Sequence, residues 1–490
     1  MLVNTMKKFR KATLAIFVLA VLAYALASYL ESRRSLWHRL QNPETVQKLK
    51  QFVVIKTAQA NADTNGVPSE IRAILEQAKR GDWLTLSNSM QAIRRWRFGW
   101  QHGWQHDWHP LGPKMAVKYF WCSIVRLAGG NSPDYLAPPD MNAVCGSAAF
   151  ELENAFDVFW NIDEKYSEKL GREIITSIPP GSIFIGDNDA GRFIPSVMLT
   201  PLSDSSPFYI LPQWAFKTCG TDGGLQQLQT LYGKKIHLPT NADMDQCFRD
   251  FAVQLQLASA TNIDTDSYGL NGMEGLAVQR LMDANPTREF YLVEQAPVTA
   301  LLPLCEPHGL ILKLHPQPVE KFSDEILQRD HDFWVKEIQP MIGGWLKDDT
   351  SIAEIAAFAK KTFEENNLAG FTGDASFIRS EATRAIYVKA RCSIARIYAW
   401  RAKKATDETE RKRMAHVADF AFRQAWVLSP YSPIAYSYAD FLRSQGRLDD
   451  AIQVMETFAA LPQLRGDYLA TNVLAQYKQL QAKQAAKPAN

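Results

Sequence analysis

Residues 12–30 form one predominantly apolar run without a charge, bracketed by Lys7, Lys8, Arg10 and Lys11 before it and Glu31, Arg33 and Arg34 after it. About 20 such residues suffice for a helix to cross the hydrocarbon core. No second run of that quality follows, so the pattern predicts one N-terminal span (residues 1–34) and a large body. The cations ahead of the span place the N-terminus inside and the body outside, in a periplasm if the source has two membranes. Ala25-Leu26-Ala27 before Ser28 also fits a cleaved signal peptide. Both readings export the body.

Residues 35–177 read as helices around a polar break at 60–68, with apolar positions at helical spacing (Ile71, Leu75, Ala78; Leu84, Met90, Ile93). From residue 178 to 320 the period changes. Short β-rich runs at 182–186, 208–211, 235–238, 290–293 and 310–314 alternate with helical stretches at 191–199, 223–231, 243–257 and 272–284. Strands alternating with helices predict an α/β domain on a Rossmann-like, mostly parallel sheet. Residues 321–484 read as all-α, opened by Ser323-Asp324-Glu325 as an N-cap with early carboxylates. Ala418, Phe422, Ala425 and Pro430, then Gly446, Ala451, Met455 and Pro462, carry the spacing of a tetratricopeptide-like (TPR-like) repeat. Helix 382–405 partners the first unit and residues 466–483 cap the stack, leaving 485–490 as a disordered tail.

The formal charge of +2 and the lack of a basic stripe with interleaved aromatics exclude nucleic acid as a partner class. Six scattered cysteines show no zinc spacing; Cys219–Cys247 and Cys122–Cys145 are the disulfides to test, with buried thiols the alternative.

Three places carry chemistry-bearing side chains. Asp187, Asn188, Asp189 and Arg192 lie where a strand gives way to a helix, the position at which open parallel sheets bind ligands. They suit a cation or a sugar; capping of the helix by Asp189 is the alternative. The second place is the tandem GWQH segment. His102, His106 and His109 have metal-ligand spacing if helical, while Trp96, Trp100, Trp104 and Trp108 suit an interface, sugar stacking or a membrane belt. In the third, Glu294, Glu306 and His308 end the late strands as an acid/base set, or as a turn built from Pro307 and Gly309. No GxSxG, HExxH, P-loop or dinucleotide fingerprint occurs.

Pro179-Pro180-Gly181-Ser182-Ile183-Phe184 with Asp189, Gly191-Arg192-Phe193, Phe290-Tyr291-Leu292-Val293-Glu294, Glu306-Pro307-His308-Gly309-Leu310-Ile311, Asp330-His331-Asp332-Phe333-Trp334 and Pro340-Met341-Ile342-Gly343-Gly344-Trp345-Leu346 run in order along residues 178–461. In these blocks the chain resembles the soluble C-terminal region of a bacterial membrane-protein family related to protein mannosyltransferases. The multi-spanning module of that family, where transfer of a lipid-linked sugar is expected, has no counterpart in this sequence. The resemblance therefore implies an accessory role in glycan or cell-envelope assembly and carries over no catalytic residue.

The expectation is a membrane-anchored, exported binding or scaffold protein. Its α/β domain contacts a glycan or lipid-linked sugar, and its TPR-like helices contact a protein partner. The alternatives are a carbohydrate-active enzyme using Asp187, Asp189 and His308, and a structural subunit of a membrane complex with the tryptophan segment at its interface.

Overall fold

The computed structural model describes residues 162, 164–186, 190–199, 207–216, 225, 228–229, 232–260, 271–293, 299–430, 434–461 and 468–485. The apolar run 12–30, the tryptophan and histidine segment 96–109, Cys122, Cys145, Cys219 and Pro462 lie outside these residues. No helix among the described residues is long and apolar enough to cross a membrane.

Helix α1 (Glu164–Ser177) leads into β1 (Ile183–Gly186), α2 (Ala190–Met198) and β2 (Tyr209–Pro212). After α3 (Asn241–Ala260) and α4 (Asn271–Ala284) come β3 (Phe290–Leu292), β4 (Cys305–His308) and β5 (Ile311–Leu314). The five strands form one sheet in the order β2-β1-β3-β5-β4. β1 pairs in parallel with both β2 and β3, in register Ile183↔Tyr209 and Ile183↔Phe290. Ile183, Phe184 and Ile185 have no exposed surface, as expected for a central strand covered on both faces.

The sheet is mixed, where strand–helix alternation predicts a mostly parallel one. β5 runs antiparallel to both β3 and β4. The cause is local: Gly309 and Leu310 make a two-residue turn between β4 and β5, with Gly309 at φ 64°. Such a turn brings the chain straight back beside itself, and glycine supplies the left-handed conformation without strain. Residues 306–308 are thus strand rather than the turn built from Pro307 and Gly309 that the sequence suggests; Pro307 is tolerated because β4 is an edge strand. The strand expected at 235–238 is absent. Its backbone groups go to side chains instead: the His237 N–H donates to Asn285 Oδ1 (3.0 Å), Asn285 Nδ2 donates to the His237 carbonyl (2.7 Å), and Arg288 Nη2 donates to the Lys235 carbonyl (2.8 Å). Groups satisfied this way are not available to a ladder.

The rest of the described chain is helical. α5 (Asp324–Ile342) begins as its sequence predicts, the Ile326 N–H donating to the Ser323 hydroxyl, with Asp324 and Glu325 in the first turn. α6 (Ile352–Ala359) opens with a capping box of Ser351 and Glu354, and a short α7 (Ala375–Arg379) follows. α8 (Glu381–Lys404), α9 (Glu408–Leu428), α10 (Ile434–Ser444), α11 (Leu448–Ala460) and α12 (Tyr468–Ala485) then pack one on the next. Ala418, Ala421 and Ala425 are fully buried and let α9 approach α8 closely, while Phe422 stacks on Tyr438 of α10 at 5.4 Å.

α5 joins the sheet to the helices. It packs on β4 and on α9, and Asp330 at its middle is buried against α8. Asp330 Oδ2 accepts from Arg391 Nη1 (2.7 Å) and from the Tyr398 hydroxyl (2.9 Å); Arg391 Nε donates to Gln424 Oε1 on α9 (2.7 Å). Cys247, Cys305 and Cys392 are free, buried thiols, Cys247 packed in the core as a small apolar group; Cys219, its suggested partner, lies outside the described residues.

Candidate functional site

The chain leaves β1 for β2 on one side and reaches β3 on the other, so β1 and β3 flank a topological switch point. Their carboxyl ends lie together, the Val293 N–H donating to the Ile185 carbonyl at 2.9 Å. Open sheets hold ligands outside such ends. Asp187, Asn188, Asp189 and Glu294 directly follow them in sequence and lie outside the described residues. Arg192 is described: it is 2% exposed, its guanidinium stands 4.2 Å from the Phe193 ring centre, and its stem covers Gly186. A Cβ at Gly186 would come within 2.8 Å of Arg192 Cβ and 3.0 Å of Val293 Cγ1, so glycine is what lets the end of β1 pass beneath α2. Arg192 is thus buried, its stem folded onto the end of β1 by the first turn of α2.

His308 ends β4, and β3 and β5 separate β4 from β1. Three inter-strand steps amount to about 14 Å. That is the separation of the His308 backbone from β1; Asp187 and Asp189, its partners in the acid/base reading, lie outside the described residues. The His308 Nε2–H donates to the Ser177 carbonyl at the end of α1 (2.9 Å), and its ring packs on Tyr291 with centres 5.2 Å apart. Burial pushes its pKa below the ordinary imidazole range, against the bond to Ser177.

The ionisable groups that do converge are on the antiparallel part of the sheet. Register places Tyr291, Lys313 and Glu306 side by side across β3, β5 and β4. Lys313 Nζ donates to Glu289 Oε1 (2.6 Å) and the Tyr291 hydroxyl to Glu289 Oε2 (2.7 Å). These two bonds hold Glu289 below the usual carboxylate range, and burial with the Glu289 contact pushes Tyr291 well up. Glu306, 9% exposed, accepts from His315 Nε2 (2.8 Å) and from Arg329 Nη2 of α5 (2.7 Å). The His315 bond is the main reason its pKa falls to about 2.

Next to this row the end of α4, the start of β3 and the end of β5 enclose a cleft of about 220 Å³. Arg288, Glu289, Lys313 and His315 are its charged or titratable lining; Met282, Phe290 and Leu314 form apolar walls. The cleft lies at the end of the sheet opposite the switch point, since Phe290 pairs with Leu314. The sequence reading missed it. Its signal was the nine-residue interval from Glu306 to His315 across a glycine turn, which a hairpin converts into direct contact.

The chemistry open to these groups is narrow. A carboxylate that orients an imidazole is a recurring arrangement; among the described residues no Ser, Thr or Cys lines the cleft and Glu289 is the lone carboxylate of the lining, whereas glycoside hydrolysis takes a pair. Among the described residues no group of three His, Cys, Asp or Glu could hold a metal ion; His102, His106 and His109 lie outside them, as do Trp96, Trp100, Trp104 and Trp108. Comparison of the chain with protein-family models, with curated proteins and with solved structures returns no match.

Proposed function

We propose that the chain is a membrane-anchored, exported binding and scaffold protein, accessory to glycan or cell-envelope assembly, that works by contact and not by catalysis. One observation supports this above the rest. The converging ionisable groups are bonded to one another, Glu289 to Lys313 and Tyr291 and Glu306 to His315 and Arg329. The Glu306 pKa is near 2 and that of Tyr291 is pushed up, whereas acid/base catalysis favours groups with pKa values close to the working pH.

In this reading the α/β part is Rossmann-like and receives a small ligand. The helices from α8 onward are TPR-like and present their groove to a protein partner, as stacked helical repeats do. The run at residues 12–30 anchors the chain with its body outside. The resemblance to the exported region of mannosyltransferase-related membrane proteins supports the envelope setting and a glycan or lipid-linked sugar nearby. The test is fractionation with protease protection. The chain is expected in the membrane pellet and open to protease added from outside; a mature chain in the cytosol would overturn the proposal.

A further inference from the structure

The cleft beside Glu289 is built from residues whose positions are fixed from behind. Arg288 donates Nη1 to the Gly181 carbonyl (2.5 Å) and Nη2 to the Lys235 carbonyl (2.8 Å), and its guanidinium lies 5.0 Å from the Tyr209 ring centre. Lys313 is held by Glu289 at 2.6 Å, and His315 by Glu306 at 2.8 Å, which Arg329 steadies in turn. Locking of this kind is what a binding site needs and what a chance surface hollow lacks. Two of these anchors leave donors over: Lys313 has two further N–H groups, and Arg288 its Nε–H and second Nη hydrogens.

We propose that this cleft binds a small phosphate monoester, with the phosphate among Arg288, Lys313 and His315 and the carbon part against Met282, Phe290 and Leu314. The charge fits an anion. Among the described residues of the lining two cations, Arg288 and Lys313, face one carboxylate, Glu289, which is bonded to Lys313 and Tyr291. The donor arrangement suits phosphate. The end-on face of the Arg288 guanidinium is spent on two carbonyls. Its remaining N–H groups and those of Lys313 come from two separate backbone positions, able to reach different oxygens of a tetrahedral group. The size fits as well. A volume of about 220 Å³ equals that of roughly seven waters at about 30 Å³ each, enough for a phosphate and a few carbons.

This inference rests on the reading that the sheet part binds a ligand. Its test is titration calorimetry on the full chain in detergent with glycerol 3-phosphate, glycerate and glycerol. The phosphate ester is expected to bind at one site per chain, at least about tenfold tighter than either comparator. Lys313→Gln should weaken it by about tenfold, while Lys336→Gln, exposed on α5, leaves it unchanged. Glycerol 3-phosphate should also slow carbethoxylation of His315 and not of the exposed His416, a readout on the unmutated chain that does not depend on how a variant folds. Competition by dihexanoyl phosphatidic acid assigns the site to a lipid headgroup; its absence assigns it to a soluble ester. Equal affinity for glycerate, no binding heat, or unprotected His315 would overturn the proposal. If membrane attachment and partner capture persist in that case, only the cleft assignment falls.

Discussion

Arg391→Met tests how the sheet and the helices are joined. The Arg391 and Asp330 side chains are 2% and 3% exposed, so neither charge has water to fall back on. Asp330 Oδ2 takes hydrogen bonds from Arg391 and Tyr398, whereas its Oδ1 is buried with no hydrogen-bond partner. Methionine keeps most of the volume beside the Trp334 ring, which lies 5.1 Å from the guanidinium. It leaves Asp330 as a buried anion with one neutral donor, and Gln424 Oε1 loses the Nε donor. Breaking a buried pair from one side costs about 3–5 kcal/mol, because the surviving charge stays desolvated. Replacing both partners by apolar residues removes that penalty and is often close to neutral. Arg391→Met alone should therefore destabilise by about 3–5 kcal/mol, and Asp330→Leu/Arg391→Met by less than either single change. Urea unfolding followed by far-ultraviolet circular dichroism on all four proteins completes the cycle. Single changes costing less than about 1 kcal/mol, or a double change costing their sum, would refute the reasoning.

Other consequences follow from the same structure. Glu306 is depressed from 4.5 to about 2, so the stability it contributes is fully present above 4.5 and lost as pH falls towards 2. With Arg329 more than half exposed, this is on the order of 2 kcal/mol, and Glu306→Gln should flatten the acid limb of a urea-midpoint against pH curve. Burial raises the Cys305 thiol to about 12 and raises Cys392 as well. Peptide mapping should find both sites unlabelled by a thiol reagent at pH 8 in native buffer and labelled in denaturant; labelling of either in the native chain would contradict their burial. Ser351→Ala removes the capping box of α6 and should cost about 1 kcal/mol in the same unfolding assay. Gly186→Ala drives a Cβ into Arg192 and Val293 and should cost about 1–3 kcal/mol; an unchanged midpoint would mean that α2 yields freely.

Local chemistry made much of this architecture readable from the residues. The strands at 183–186, 209–212, 290–292 and 311–314 and the Ser323 cap follow from apolar runs and a helix-start signal, both short-range. The edge strand at 305–308 escaped because Cys-Glu-Pro-His has the composition of a turn and pairs only once Gly309 reverses the chain. The false strand at 235–238 has β-like side chains, yet Asn285 and Arg288, about fifty residues later, claim its backbone groups. The site divides in the same way. Glu306 and His308 stood out as a carboxylate and an imidazole near a strand end, but their partners differ from those imagined. Glu306 meets His315 and Arg329, whereas His308 meets Ser177. Such pairings depend on hairpin register and on where α5 lands, and neither leaves a mark in residue type or spacing.

Photo-crosslinking in intact cells addresses the central claim directly. A benzophenone amino acid at exposed positions such as Lys478 and Leu480 of α12, or Lys412 of α9, reads what the helical face touches. A contact protein predicts a discrete adduct with one other polypeptide, in the membrane fraction, from some of these positions and not others. Adducts from none of them, alongside turnover of a sugar substrate by the purified chain, would contradict it.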